Sequence, residues 1–137
     1  MPPRILIADD YDDNRELLRL ILVTADFEVL EAHDGQECLT LAQLHLPDLI
    51  MVDLAMPKVD GWEVLRALRA NQQTSGIPCV LVSGYAQPDP NDARADRFDA
   101  YLTKPFRTGE VIETVEGLLS ERAAKASAAE AGTSRPD

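Results

Sequence analysis

Apolar residues along this chain fall into two alternating patterns. Short runs with few polar interruptions occur at Arg4–Ala8, Phe27–Ala32, Leu49–Val52, Pro78–Val82 and Ala100–Leu102, and each reads as a strand. Between them the period lengthens to that of a helix. Leu17, Leu18, Ile21, Leu22 and Ala25 share a face over Asn14–Ala25, with Asp12 or Asp13 placed to cap that helix by accepting from its free N–H groups. Asp34-Gly35 is a turn signal. Gln36–Leu46 follows as a second helix, broken by Pro47-Asp48, and Met56–Gly61 is a loop. Trp62–Ala70 is a third helix with Leu65 and Leu68 inward, and Val111, Ile112, Val115, Leu118 and Leu119 mark a final amphipathic one.

Strands that are near-continuous apolar runs, rather than alternating ones, suit a parallel sheet covered by helices on both faces. Five of them in series with helices predict a doubly wound α/β fold. In such folds functional groups gather at the carboxyl ends of the strands. One unit is weak: between Ser83 and Ala100 lie Pro88, Pro90 and several acids, with only Ala86 and Ala93 at inward spacing. A short, poorly packed fourth helix is expected there, with Phe98 seated near the strand that follows. Beyond Arg122 the chain turns Ala-rich and holds no large apolar residue. That predicts a folded domain over 1–122 and a disordered tail or linker start over 123–137.

Composition narrows the classes. A chain of 137 residues fits one domain. Asp and Glu number 24 against 13 Lys and Arg, a formal charge of −11. Lys125 and Arg135 cancel Glu130 and Asp137, so the whole excess belongs to residues 1–122. An acidic balance argues against nucleic-acid binding, which needs a basic face, and against anionic membrane. No run approaches the roughly 20 apolar residues of a membrane span, and the Met1-Pro2-Pro3-Arg4 start lacks the long apolar region of a signal peptide. Cys38 and Cys79 sit inside apolar patterns and read as buried free thiols in a reduced cytoplasm. Without a CxxC or Cys/His cluster, zinc is not expected.

The chemistry lies where the strands end. The first strand runs into Asp9-Asp10, the third into Asp53, the fourth into Ser83 and the fifth into Lys104. In a parallel sheet all of these project from one edge. Crowded carboxylates raise one another's pKa and need a compensating cation. Oxygen donors without His or thiolate suit a hard ion such as Mg²⁺. With an ammonium and a hydroxyl beside it, such a site matches the needs of a transferring phosphoryl group, one carboxylate serving as nucleophile.

Order and spacing are more specific than any single residue. Ile5–Asp10, Pro47–Pro57 with Asp60-Gly61, Val80–Tyr85 and Ala100–Phe106 together resemble the response regulator receiver domain of two-component signalling, over about Arg4 to Leu119. The resemblance implies a five-stranded sheet in the order 2-1-3-4-5. It implies Asp53 as phosphoacceptor, Asp10 as a direct Mg²⁺ ligand, Asp9 acting largely through water, and the Ala55 backbone carbonyl as a further ligand. Lys104 matches the lysine that pairs with the phosphoryl group, and its bond to Pro105 matches one usually cis. Ser83 and Tyr101 match a switch pair that biases a surface built from the fourth helix, the fifth strand and the last helix. The implied partners are a sensor histidine kinase or histidine phosphotransfer protein upstream and a protein target downstream, with homodimerisation on phosphorylation left open. The implied chain is cytoplasmic and no enzyme beyond its own phosphorylation and dephosphorylation. A Mg²⁺-dependent phosphohydrolase and a degenerate, phosphorylation-independent receiver are the alternatives.

Two departures stand out. Asp96-Arg97-Phe98-Asp99-Ala100 replaces the family's Gly-Ala-Asp type of turn. Ala55 and Tyr85 occupy variable positions beside the phosphoacceptor and the switch hydroxyl, where a side chain can orient or exclude water. Ala55 offers no hydrogen bond and Tyr85 can shield the site, so slow self-dephosphorylation is expected. Trp62, His33 and His45 read as packing or surface residues, and Met51 and Met56 as core and loop packing.

Overall fold

A computed structural model describes residues 2–84, 98–105 and 107–133, with side chains of the last helix described to Lys125. Five strands form one sheet: β1 (Arg4–Ala8), β2 (Glu28–Ala32), β3 (Leu49–Asp53), β4 (Cys79–Ser83) and β5 (Ala100–Thr103). Every neighbouring pair is parallel and the order is β2-β1-β3-β4-β5. The helices are α1 (Asp12–Thr24), α2 (Gly35–His45), α3 (Gly61–Ala70) and α4 (Thr108–Thr133).

The period of two along each strand divides the core. Leu6, Ala8, Ile50, Val52 and Leu81 point to one side and pack with Cys38 and Ala42 of α2 and with Val64, Leu65 and Leu68 of α3. Ile5, Ile7, Leu49, Met51, Val80 and Val82 point to the other and pack with Leu18, Ile21 and Leu22 of α1 and with Val111 and Val115 of α4. Each central strand is therefore buried on both faces, the reason its sequence does not alternate. Both cysteines are free and buried in the α2/α3 layer. Desolvation pushes the Cys38 thiol up and the Cys79 thiol up to about 12, so both stay protonated.

Three expectations need correction. Asp12 and Asp13 do not cap α1: the N-cap is Tyr11, with no side-chain cap bond, and both acids lie in the first turn. There they still favour the positive end of the helix dipole. Leu17 is 44% exposed, and Arg15 takes the inward place beside Leu18 and Leu22. The Ala-rich stretch after Arg122 carries helical backbone to Thr133, which fits alanine's leading helix propensity even without an apolar face to bury. The expected fourth helix, with Ala86, Pro88, Pro90 and Ala93, lies outside the described residues. Phe98 is buried, 6.2 Å from the Tyr101 ring and 5.3 Å from that of Trp62 (centroid to centroid).

Candidate functional site

The parallel sheet brings the predicted residues to one edge, and backbone bonds fix them there. Asp9 extends β1 through its N–H to the Ala32 carbonyl (3.2 Å). Asp53 closes β3, and the next N–H, that of Leu54, donates to the Val82 carbonyl (3.0 Å). Lys104 follows β5 and its N–H donates to the Ser83 carbonyl (2.8 Å). The Lys104–Pro105 bond is cis.

Asp9, Asp10 and Asp53 each offer a carboxylate oxygen, all within 4.8 Å of one another. Asp9 and Asp53 are buried and Asp10 is exposed. The Lys104 ammonium reaches both buried acids, Nζ lying 3.2 Å from Asp9 Oδ2 and 3.5 Å from Asp53 Oδ2. Burial and the Asp9 charge push Asp53 up to about 6, while Lys104 and a hydrogen bond from the Ala55 backbone N–H pull it back. Three carboxylates against one ammonium leave a surplus of negative charge in a partly dry pocket, an arrangement suited to a metal cation. With oxygen as the only donor type among them, the set fits a hard divalent ion.

Ser83 is buried at the end of β4, and Tyr101 is half-buried on β5 with its ring edge-on to Phe98. Ala55 is exposed in the loop after β3. Tyr85 lies outside the described residues. His33 pairs with Glu37 at 2.8 Å, which holds the Glu37 carboxyl below its ordinary value, and His45 is exposed at the end of α2, so neither histidine reaches the acids at this edge.

Arg15 is the residue that sequence reasoning missed. It is 6% exposed, and its Nη1 donates to the Asp9 carbonyl at 2.8 Å. Its other groups pair with Asp12 and, at 3.7 Å, with Glu31. The guanidinium thus ties α1 to the turn that presents Asp9 and Asp10. The signal was available: Arg15 stands three residues before Leu18 and seven before Leu22, on the stripe that faces the sheet.

The family model of the response regulator receiver domain matches residues 5–116. The chain belongs to the response regulator receiver family. Relatives of this receiver domain include the polar-differentiation response regulator DivK of Brucella anthropi, 32% identical over 122 residues, 88% of this chain and 99% of DivK. Among solved structures, a putative response regulator from Chloroflexus aurantiacus is 32% identical with a TM-score of 0.79, covering 88% of this chain and 99% of that one. The signal receiver domain of a histidine kinase from Syntrophus aciditrophicus is 30% identical, with a TM-score of 0.77 over 87% and 91%. The receiver function is thereby given, and the five-stranded order is that of the family. Among the described residues no helix is long and apolar enough to cross a membrane.

Proposed function

We propose that Asp53 of this receiver domain accepts a phosphoryl group from phosphohistidine on a sensor histidine kinase or histidine phosphotransfer protein. The observation that carries the assignment is the reach of the Lys104 ammonium from β5 to the buried carboxylates of β1 and β3. An Asp53 oxygen attacks phosphorus, the P–N bond breaks, and the imidazole leaves with the electron pair. Lys104 stands where it can follow the phosphoryl oxygens, and the Ala55 N–H orients the nucleophile. Asp9, Asp10, Asp53 and the Ala55 carbonyl would hold Mg²⁺, which when bound supplies the positive charge that a phosphoryl group requires. Ser83 and Tyr101 form the switch. Their movement biases a surface of β5, α4 and the chain between β4 and β5 toward a downstream protein target. The domain acts on its own aspartate only, in the cytoplasm, and self-dephosphorylation is slow because Ala55 offers no hydrogen bond to a hydrolytic water.

The packed part of the domain reaches to about Arg122, whose Nη1 donates to the Asp48 carbonyl at 2.8 Å and is the last described side chain with a bond back to the sheet's connections, while α4 continues beyond it to Thr133. Incubation of the full chain with Mg²⁺ and acetyl phosphate, read by intact mass, tests the assignment. A single phosphoryl adduct that Asp53→Asn abolishes is expected. Steady turnover of a free phosphoester would point to a phosphohydrolase, and no adduct, together with no response to fluoroberyllate, to a phosphorylation-independent receiver.

A further inference from the structure

The loop after β3, Leu54 to Asp60, contributes through its backbone. The Ala55 N–H bonds the Asp53 carboxylate, and the Ala55 carbonyl is the proposed metal ligand. Two glycines flank this loop. A Cβ on Gly35, the first residue of α2, would fall 2.4 Å from the Val59 carbonyl oxygen, 2.8 Å from Val59 Cβ and 3.0 Å from Val64 Cγ2. A Cβ on Gly61 would fall 3.0 Å from both the Asp53 carbonyl oxygen and Leu54 Cα. Gly76, by contrast, would meet nothing within 4 Å. No glycine among the described residues has a positive φ, so at Gly35 it is space, not backbone freedom, that excludes a side chain.

Both sides of the Gly35 contact are held by local hydrogen bonds. The Asp34 carboxylate accepts from Glu37 N–H (2.8 Å), and Glu37 Oε1 accepts from the His33 N–H (2.8 Å), which locks the turn before α2. Across the gap, the Val59 N–H donates to Pro57 O (2.8 Å), Lys58 holds a left-handed φ of 70°, and the Gly61 N–H donates to Leu54 O (3.0 Å). A displaced Val59 therefore carries the loop with it.

We propose that Gly35, outside the site and on a neighbouring turn, is a positioning residue for the phosphoacceptor loop. Its missing side chain sets where Val59 lies and so where the Ala55 amide and carbonyl point. Gly61 performs the same service from the far side with a gentler contact. This inference rests on the Mg²⁺ reading of the site, and the experiment separates the two.

Calorimetric Mg²⁺ titration, urea unfolding and the Ala55 amide resonance of the metal-free chain are compared for the natural protein and for Gly35→Ala, Gly61→Ala, Gly76→Ala and Val115→Ala. Loss of an outer support of a metal ligand costs about tenfold or more in affinity. Gly35→Ala is expected to weaken Mg²⁺ about tenfold and to move the Ala55 resonance, with Gly61→Ala acting in the same direction but less. Val115→Ala, in the opposite core layer, lowers stability alone, and Gly76→Ala changes nothing. A Gly35→Ala protein with the natural Mg²⁺ affinity and an unmoved Ala55 resonance overturns the proposal. Should Gly35→Ala not fold, an unchanged Gly61→Ala protein overturns it equally. Failure of the natural chain to bind Mg²⁺ defeats the metal reading, while the Ala55 resonance still decides the positioning role.

Discussion

The two ends of the sheet use the same residue types to opposite effect. At the amino-terminal end Asp99 and Asp48 each have a base and a backbone donor. Asp99 Oδ2 accepts from the Cys79 N–H (2.8 Å) and from Arg69 Nη2 (3.0 Å), and Arg69 also donates to the Ser75 and Ile77 carbonyls. Asp48 Oδ2 accepts from the Arg4 N–H (2.8 Å) and its carbonyl from Arg122. At the carboxyl-terminal end, Asp9 and Asp53 share the Lys104 ammonium, and Asp10 beside them has no ion pair among the described residues. One end is neutralised locally and serves as a clamp. The other keeps an uncompensated negative charge, at a cost to stability, of the kind a metal cation balances. An acid's role here follows from the balance around it, not from its burial alone.

The largest expected break in that contrast is Asp53→Asn, which should reduce phosphorylation by at least about a thousandfold, measured by intact mass after acetyl phosphate. Next comes pH. Unfolded Asp53 titrates near 4 and the folded group near 6, so between those values the folded chain holds a proton the unfolded chain has released. Metal-free stability should therefore fall as pH rises from about 4 to 6 and stay lower above, by up to about 1.4 kcal/mol per pH unit. Urea unfolding checks this, and Asp53→Asn should flatten the slope. At the clamped end, Asp99→Ala strands the Cys79 N–H and one arm of Arg69. It should cost about 1–2 kcal/mol of stability while leaving Mg²⁺ affinity within twofold, by urea unfolding and calorimetry. The smallest effect is Arg122→Ala, about 1 kcal/mol or less by the same unfolding measurement, because the guanidinium is part-exposed and its ion pair with Asp48 spans 3.9 Å. A shift in Mg²⁺ affinity from either clamp variant would erase the division between the two ends.

Much of this was legible along the chain because the strands are short, apolar and stopped by the residues that matter. Arg4–Ala8 and Leu49–Asp53 announce both the sheet and the placement of Asp9 and Asp53. What stayed hidden depended on phase or on partners distant in sequence. Leu17 and Arg15 compete for the inward face of α1, and hydrophobicity favours Leu17. The outcome turns on the Asp9 carbonyl, an acceptor that only the fold supplies. Asp12 and Asp13 look like caps, yet the helix starts at Asp12 and Asp12 pairs with Arg15 instead. The extension of α4 to Thr133 rests on local propensity alone, which a search for apolar faces does not register. Gly35 read only as half of a turn, since its contact with Val59 spans 24 positions.

The chain contains one tryptophan. Trp62 stands in the first turn of α3, just beyond the loop that follows Asp53, and its ring stacks obliquely on Phe98, which in turn meets Tyr101 edge-on. All indole emission from this protein therefore originates two aromatic contacts from Tyr101. Unlabelled protein can then be followed in real time, the optical signal reporting the state of the Tyr101 neighbourhood without a dye or a tag.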